Sequence, residues 1–261
     1  MLETLAPLTE RPDRSALLFD IDGTLAQIVS DPAAAQVPDA TRPLLSALER
    51  RFALVACVSG RRAEEARRMV GLRSLTYVGN HGMERLDPHE ERPRTIAGAQ
   101  EAEKRTRSFA RREYTDALRQ AGVRAEDKGP IWSFHWRDAP DEAGAHELVS
   151  ALAETARADG LRPHWGRKVL ELRPVLRFDK GTGIEPLVRA ESIRAALYGG
   201  DDTTDVDAFK KLRELRMDGT LEDAVCVGVR SSEAPQAVLD EADVLVEGLE
   251  GFARVLAVLA S

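Results

Sequence analysis

The chain has 261 residues, enough for one large domain or two modest ones. Apolar residues at 43% and charged residues at 31% place it among globular chains and away from disordered ones. A net charge of -7 argues against nucleic acid as a principal partner, because a phosphate backbone calls for clustered cations.

The Arg-rich region from Arg92 to Arg124 does not alter this, since Glu101, Glu103, Glu113 and Asp116 interleave with the arginines at helical spacing. Only Cys57 and Cys226 occur, both inside apolar strand-like runs, which suits reduced, buried thiols and offers no disulfide or zinc-site spacing. Met1 to Arg14 carries charges and prolines where a signal peptide has an apolar core. No apolar run approaches the roughly 20 residues of a membrane span. The expectation is a soluble cytoplasmic protein, a monomer, whose partner is a small molecule rather than nucleic acid or membrane.

The first buried element is Ala16-Leu17-Leu18-Phe19, running into Asp20-Ile21-Asp22-Gly23-Thr24-Leu25. A short continuous apolar run reads as a strand covered on both faces, as in a parallel sheet. Asp20 and Asp22 then sit at its carboxyl end, where open α/β sheets place their ligands. Two acids there repel unless a cation lies between them or one stays protonated. A plain turn is the bland alternative, Asp and Gly being ordinary turn residues.

Asp39 is placed to N-cap a helix over 40–50. A strand over 53–58 ends at Ser59-Gly60-Arg61, and a helix then runs to Val70 and stops at Gly71. Leu75 to Val78 is a third strand, followed by Gly79-Asn80-His81-Gly82-Met83-Glu84. The rhythm then changes. One long charged helix is predicted over 99–121, then strands 123–128 and 131–137 joined at Gly129-Pro130. A helix over 141–158 follows, then strands 161–165 and 168–173 with Gly166 in their turn. The α/β rhythm returns with a helix near 184–191, a strand near 195–198, Gly199-Gly200-Asp201-Asp202-Thr203-Thr204-Asp205 and a helix to 215. Strands near 225–229 and 244–246 and a helix over 249–259 close the chain. The predicted class is α/β: a doubly wound parallel core (1–98 and 177–261) with an inserted α+β unit (99–176).

Asp20, Asp22, Asp201 and Asp202 thus gather at one sheet edge as oxygen ligands suited to Mg²⁺. Thr24, Ser59 and nearby backbone N–H groups are donors for a phosphate, and Lys180 adds a positive charge. Such a set fits phosphoryl transfer. Taken singly, Ser59-Gly60 is a common turn, Lys180 a surface lysine, and Asp201 to Thr204 a cap cluster; together they are a site.

Phe19-Asp20-Ile21-Asp22-Gly23-Thr24, Ser59-Gly60-Arg61, Lys180 and Gly200-Asp201-Asp202-Thr203-Thr204-Asp205 resemble, in order, the four motifs of haloacid dehalogenase superfamily phosphatases. The resemblance implies that Asp20 is the nucleophile and Asp22 the general acid and base. It implies that Asp20, the backbone carbonyl of Asp22, and Asp201 ligate Mg²⁺, with Asp202 and Asp205 supporting the metal or its waters. It further implies that Ser59 and Lys180 hold the phosphoryl oxygens, and that the inserted unit is a cap over the site.

Within the superfamily, several strings resemble trehalose-6-phosphate phosphatases. They are Ile28-Val29-Ser30-Asp31-Pro32, Gly79 to Glu84, Glu126-Asp127-Lys128-Gly129, Ser133-Phe134-His135-Trp136-Arg137, Lys168 to Pro174 and Asp179-Lys180-Gly181. The implied substrate-binding residues are Gly60, Arg61, Asn80, His81, Glu126, Lys128, Ser133, His135, Arg137, Lys168 and Glu171. Strand alternation sets Ser133, His135 and Arg137 on one face, with Trp132, Phe134 and Trp136 on the other. Trp132 and Trp136 read equally as plain core. Lys168 and Glu171 have opposite parity, so aiming both inward needs a bulge or a strand end. Val206 and Arg167 depart from that family, which usually has glutamate and glycine there. Other sugar phosphates, such as sucrose 6-phosphate or mannosyl-3-phosphoglycerate, are the nearest rival substrates. A non-catalytic sugar-phosphate sensor is the rival of another class, disfavoured by the presence of both Asp20 and Asp22.

Overall fold

The computed structural model describes residues 2–29, 34–176, 178–190, 192–231 and 234–261. Ser30 to Pro32 of the first-motif continuation lie outside the described residues. The chain divides into two units, Met1–Arg94 with Phe178–Ser261, and Thr95–Arg177.

The first unit is built on β1 (Ser15–Asp20), buried along its whole length. Its alternation explains why no polar face is needed. Leu17 and Phe19 join one core with Leu45, Leu48, Phe252 and Leu256, whereas Ala16 and Leu18 join another with Ile184, Phe209 and Leu212. Helices α1 (Leu2–Glu10), α2 (Thr41–Arg51), α3 (Ala63–Val70) and α10 (Gly248–Ala260) supply the first layer. Helices α7 (Lys180–Val188), α8 (Thr203–Met217) and α9 (Gln236–Glu241) supply the second. Strands β2 (Leu54–Val58) and β3 (Thr76–Gly79) lie to one side of β1. On the other lie β10 (Ala195–Gly200), β11 (Asp223–Arg230) and β12 (Val244–Glu247), all parallel. The strand order reverses between β1 and β10, the place where doubly wound sheets bind ligands.

Three local features differ from the sequence reading. Helix α1 had no clear apolar period, yet Leu5 and Leu8 anchor it in the core. Asp39 does not cap α2; Ala40 holds the N-cap position and the Asp39 carboxylate pairs with Arg42. Beyond β3 the sheet gains β4 (Glu84–Leu86), antiparallel to β3, and β5 (Arg94–Thr95). Both are too short and too charged to show a period of two.

The second unit is a four-stranded sheet in the order β6 (Arg124–Asp127), β7 (Trp132–His135), β9 (Val169–Arg173), β8 (Arg162–Gly166), antiparallel throughout. The long helix expected over 99–121 is broken into α4 (Ala99–Glu113) and α5 (Asp116–Gln120). The break lies at Tyr114, whose hydroxyl donates to the Val123 carbonyl at 2.7 Å and whose ring stands edge-on to Phe134 at 5.9 Å. Helix α6 (Glu142–Ala158) starts where the Asp141 side chain accepts from the Gly144 N–H. Trp132, Phe134, Trp136, Leu170 and Leu172 pack with residues of α4, α5 and α6 in a core confined to this unit. Gly166 pairs with Val169, so the β8–β9 turn is Arg167-Lys168, with Lys168 at φ +56.

Among the described residues no helix is long and apolar enough to cross a membrane, and both cysteines are buried and free. Because the second unit owns its core, Phe134→Ala is expected to cost about 3–5 kcal/mol there. Hydrogen exchange of the variant should lose protection across β6 to β9 while β1, β2 and β10 keep theirs.

Candidate active site

Asp20 ends β1 on the face of Ala16 and Leu18, the side on which α7 and α8 pack. That parity determines what it meets. The Lys180 ammonium, on the first residue of α7, lies 2.6 Å from Asp20 Oδ1 and 2.6 Å from Asp205 Oδ1. Helix α7 is started by a reciprocal cap between Asp179 and Thr182, which fixes where Lys180 emerges. Asp205 is saturated: its Oδ1 also accepts the Tyr198 hydroxyl at 2.8 Å, and its Oδ2 accepts the N–H groups of Asp201 and Asp202 at 3.0 and 2.9 Å.

Asp201 follows β10, the strand beside β1. Its Oδ1 accepts the Thr24 hydroxyl at 3.2 Å. Gly23 permits this approach: it sits at φ +92, and a Cβ there would lie 2.0 Å from Asp201 Oδ2. One carboxylate oxygen each from Asp20, Asp201 and Asp205 falls within 4.8 Å of the others. All three acids are buried, as are Thr24, Ser59 and Lys180.

Burial raises the Asp20 carboxyl well above its usual range; Lys180 opposes that shift and the charges of Asp205 and Asp201 add to it. Asp201 is pushed up to about 7, by burial and then by the charge of Asp205. Burial alone would lower Lys180, but Asp20 and Asp205 outweigh it and the ammonium is held more tightly than usual. Several carboxylates thus face a single ammonium. Their donor set, hard oxygens on rigid backbone, fits a divalent cation.

Other expected site residues follow the neighbouring strands β2 and β3. Ser59 Oγ accepts the Arg61 N–H at 3.1 Å, which leaves its own hydroxyl hydrogen for another acceptor. Arg61 binds Asp22 through two nitrogens, at 2.7 and 2.8 Å. Gly60 admits the His81 ring, which would stand 2.7 Å from a Cβ. His81 is at φ +53, and its N–H donates to the Ser59 carbonyl at 3.1 Å.

Four of the expected residues have partners within the fold. The Thr24 hydroxyl donates to Asp201 Oδ1. Asn80 is fully buried, and its side chain hydrogen-bonds Glu84, which also takes the Ala63 N–H at the start of α3. Asp202, at the N-cap of α8, has its side chain exposed and hydrogen-bonded by Thr204, so Asp205 and not Asp202 completes the acidic trio. Lys168 has the parity of the helix-facing side, and its ammonium pairs with Glu142 of α6 at 2.6 Å.

In the second unit, cross-strand register gathers Glu126, Ser133, His135 and Glu171 on the sheet face opposite the tryptophans. His135 Nε2 lies 2.9 Å from Glu126 Oε2, a bond that holds the Glu126 carboxyl below its usual range. Lys128 Nζ lies 3.4 Å from Glu171 Oε1, and Arg173 donates twice to Glu171 Oε2, at 3.0 and 2.7 Å. Ser133 Oγ is buried there with no hydrogen-bond partner among the described residues. Arg137 lies beyond the end of β7 and is exposed. Arg173, Tyr198 and Glu65 were not singled out from sequence. Arg173 could have been, since it shares strand parity with Glu171. Val206 packs in the apolar core beside α7, where a glutamate would be buried.

A haloacid dehalogenase-like hydrolase from Bacteroides thetaiotaomicron shares this fold, with a TM-score of 0.63 at 13% identity over 93% of this chain and 98% of that one. A family model described as trehalose-phosphatase matches residues 18–244, and the chain belongs to that family. The C-terminal domain of a Candida albicans trehalose-6-phosphate phosphatase shares the fold with a TM-score of 0.75 at 22% identity, over 99% of this chain and 96% of that one. A trehalose-phosphate phosphatase of Mycobacterium marinum is 34% identical over 262 aligned positions, 94% of this chain and 62% of that protein. The chain therefore spans less than two thirds of such relatives.

Asp205→Asn is expected to cost roughly 3 kcal/mol or more in urea unfolding, because Lys180 loses a buried partner. Asp202→Asn should stay within about 0.5 kcal/mol, Asn being an equally good N-cap. The Asp201 carboxyl binds its proton more tightly folded than unfolded. Without divalent ions, the contribution from this group is therefore full below the unfolded value near 3.8 and is lost as pH rises through about 7. Asp201→Asn, compared with the parent chain in EDTA, should gain relative stability between pH 4 and 7.

Proposed function

We propose that the protein is a Mg²⁺-dependent phosphatase that releases phosphate from trehalose 6-phosphate and leaves trehalose. The observation carrying this reading is the convergence of Asp20 and Lys180, 160 residues apart in sequence, on one buried cluster with Asp201. Membership of the trehalose-phosphatase family supports the choice of substrate.

In this reading, Asp20 attacks phosphorus. The Asp20–phosphorus bond forms as the bond from phosphorus to the sugar oxygen breaks, giving an aspartyl-phosphate. Asp22 gives its proton to the departing oxygen, then takes one from the water that attacks phosphorus and restores Asp20. Lys180, itself fixed by Asp205, orients the Asp20 carboxylate and offsets its repulsion from the phosphoryl group. The Ser59 hydroxyl donates to a phosphoryl oxygen. Asp20, Asp201 and the backbone carbonyl of Asp22 would hold Mg²⁺. Bound there, the ion supplies charge neutralisation for the phosphoryl oxygens.

The polar face of the second unit is the sugar-recognition surface. Glu126, Lys128, His135 and Glu171 alternate donors and acceptors across two strand pairs, as a ligand rich in hydroxyls requires. The buried Ser133 hydroxyl adds a group that gains from a polar ligand. A face of this kind discriminates against sugars that lack the matching hydroxyls.

Phosphate release across a panel of sugar phosphates tests the assignment. Trehalose 6-phosphate is expected to exceed glucose 6-phosphate in kcat/KM by at least about a hundredfold; equal values would refute the substrate. Asp20→Asn should retain substrate binding yet lose turnover, and EDTA should abolish turnover until Mg²⁺ is restored. Full activity of Asp20→Asn would end the covalent mechanism.

A further inference from the structure

We propose that Glu65 is a positioning residue for the reaction, acting through Arg61 to hold Asp22 in place for proton transfer. The inference rests on the phosphatase reading above and concerns a residue outside all four motifs.

Asp22 needs such a device. It lies two residues past the end of β1, beside the turn made by Gly23, and its side chain is 31% exposed. A carboxylic acid so placed turns freely about two side-chain bonds. A general acid must instead keep one oxygen aimed at the leaving alcohol, because small displacements of a reacting group cost large factors in rate.

Arg61 removes that freedom. Its Nε donates to Asp22 Oδ2 at 2.7 Å and its Nη2 to Oδ1 at 2.8 Å, so the planar guanidinium sets the plane of the carboxylate. The Arg61 backbone is fixed on both sides: its N–H donates to Ser59 Oγ at 3.1 Å and its carbonyl accepts the Asn80 N–H at 2.7 Å. The long side chain still needs a stop. Glu65, in the first turn of α3, provides it by accepting Arg61 Nη1 at 2.6 Å. Helix α3 is itself pinned at its start by buried Glu84, which takes the Ala63 N–H at 3.1 Å. The order of support is therefore Glu84 to α3, Glu65 to Arg61, and Arg61 to Asp22.

The arrangement also bears on Arg61 as a direct phosphate ligand. The guanidinium edge formed by Nε and Nη2 faces Asp22, and Nη1 donates to Glu65. This favours a guanidinium that works through a carboxylate over one that waits for an anion.

The proton steps balance as in the reaction above. The Asp22 proton goes to the sugar oxygen when the phosphorus–oxygen bond breaks, and returns from water in the second step. An alcohol leaves poorly without that proton, whereas p-nitrophenolate leaves without it. The second step is common to both, so the difference is read in kcat/KM, which reports transfer of the phosphoryl group to Asp20: loss of Glu65 should lower it for the sugar phosphate and spare it for the aryl phosphate. A merely structural role would depress both equally.

The test compares Glu65→Ala and Glu65→Gln with the parent chain, with Mg²⁺ present, on trehalose 6-phosphate and on p-nitrophenyl phosphate. Glu65→Ala is expected to lower kcat/KM on the sugar phosphate about tenfold, a part of what a general acid contributes. The kcat/KM of the aryl phosphate should stay within about twofold, whatever the shared second step does to kcat. Glu65→Gln keeps an acceptor for Nη1 and should recover most of the loss. Arg61→Lys, which keeps the charge but cannot bind two oxygens in one plane, should show the same split and serves if Glu65→Ala fails to fold. Equal losses of kcat/KM on both substrates, or an unchanged Glu65→Ala, would overturn the proposal. Absence of phosphate release from either substrate by the parent chain would remove the phosphatase reading itself, a different result from an equal loss in the variants.

Discussion

The site depends on one buried cation. Lys180 sits between Asp20 and Asp205 in a place where an isolated ammonium would be expelled or neutralised. Two carboxylates make its burial tolerable, and it in turn makes theirs tolerable. Asp205 is fastened from four sides, so it transmits the position of β10 and α8 to Lys180, and Lys180 transmits it to Asp20. Asp20 is thereby aimed by a part of the chain that lies far from it in sequence. A rigid sheet switch point supplies the frame; the ion pair supplies the alignment.

Electrostatics then divides the acids into kinds. Asp205 is saturated by donors and behaves as structure. Asp20 and Asp201 are buried with too little compensation, which is what raises both and prepares them for a hard cation. Asp22 is different again: partly exposed and clamped by a guanidinium, it stands apart from the buried trio of Asp20, Asp201 and Asp205. Four aspartates of similar sequence context thus take separate parts because each meets a different neighbour.

Much of this was readable in the chain. The run Ser15 to Asp20 is apolar on both alternating faces, so a buried parallel strand followed from composition alone, and the gathering of Asp20, Lys180 and Asp201 followed from the sheet's topology. What stayed hidden were choices made within a motif. Which of Asp201, Asp202 and Asp205 turns inward is decided by the N-cap geometry of α8, and no spacing encodes that. Thr24 and Asn80 look like ligand donors until their partners, Asp201 and Glu84, are seen. The opposite parity of Lys168 and Glu171 was visible, but not that the Lys168 ammonium pairs with Glu142. Strands β4 and β5 were invisible because two or three charged residues carry no periodicity. The break at Tyr114 arises from a tertiary hydrogen bond to Val123 that local propensity does not contain.

The pairing of β1 with β10 carries a kinetic consequence. Ser15 faces Ala195 in the register of the central strands, so the middle of the catalytic sheet closes a loop of most of the chain's length. Such closure carries a large chain-entropy cost before any contact repays it. The second unit, whose strands pair within Arg124 to Arg173, meets a far smaller barrier. Folding first, it would turn a long slack connection into a compact spacer and shorten the effective loop. On a ribosome, β1 would emerge early and wait, its Ala16 and Leu18 face uncovered, until α7, β10 and α8 are made. The segment that holds Asp20 is thus also one exposed to misassociation during synthesis.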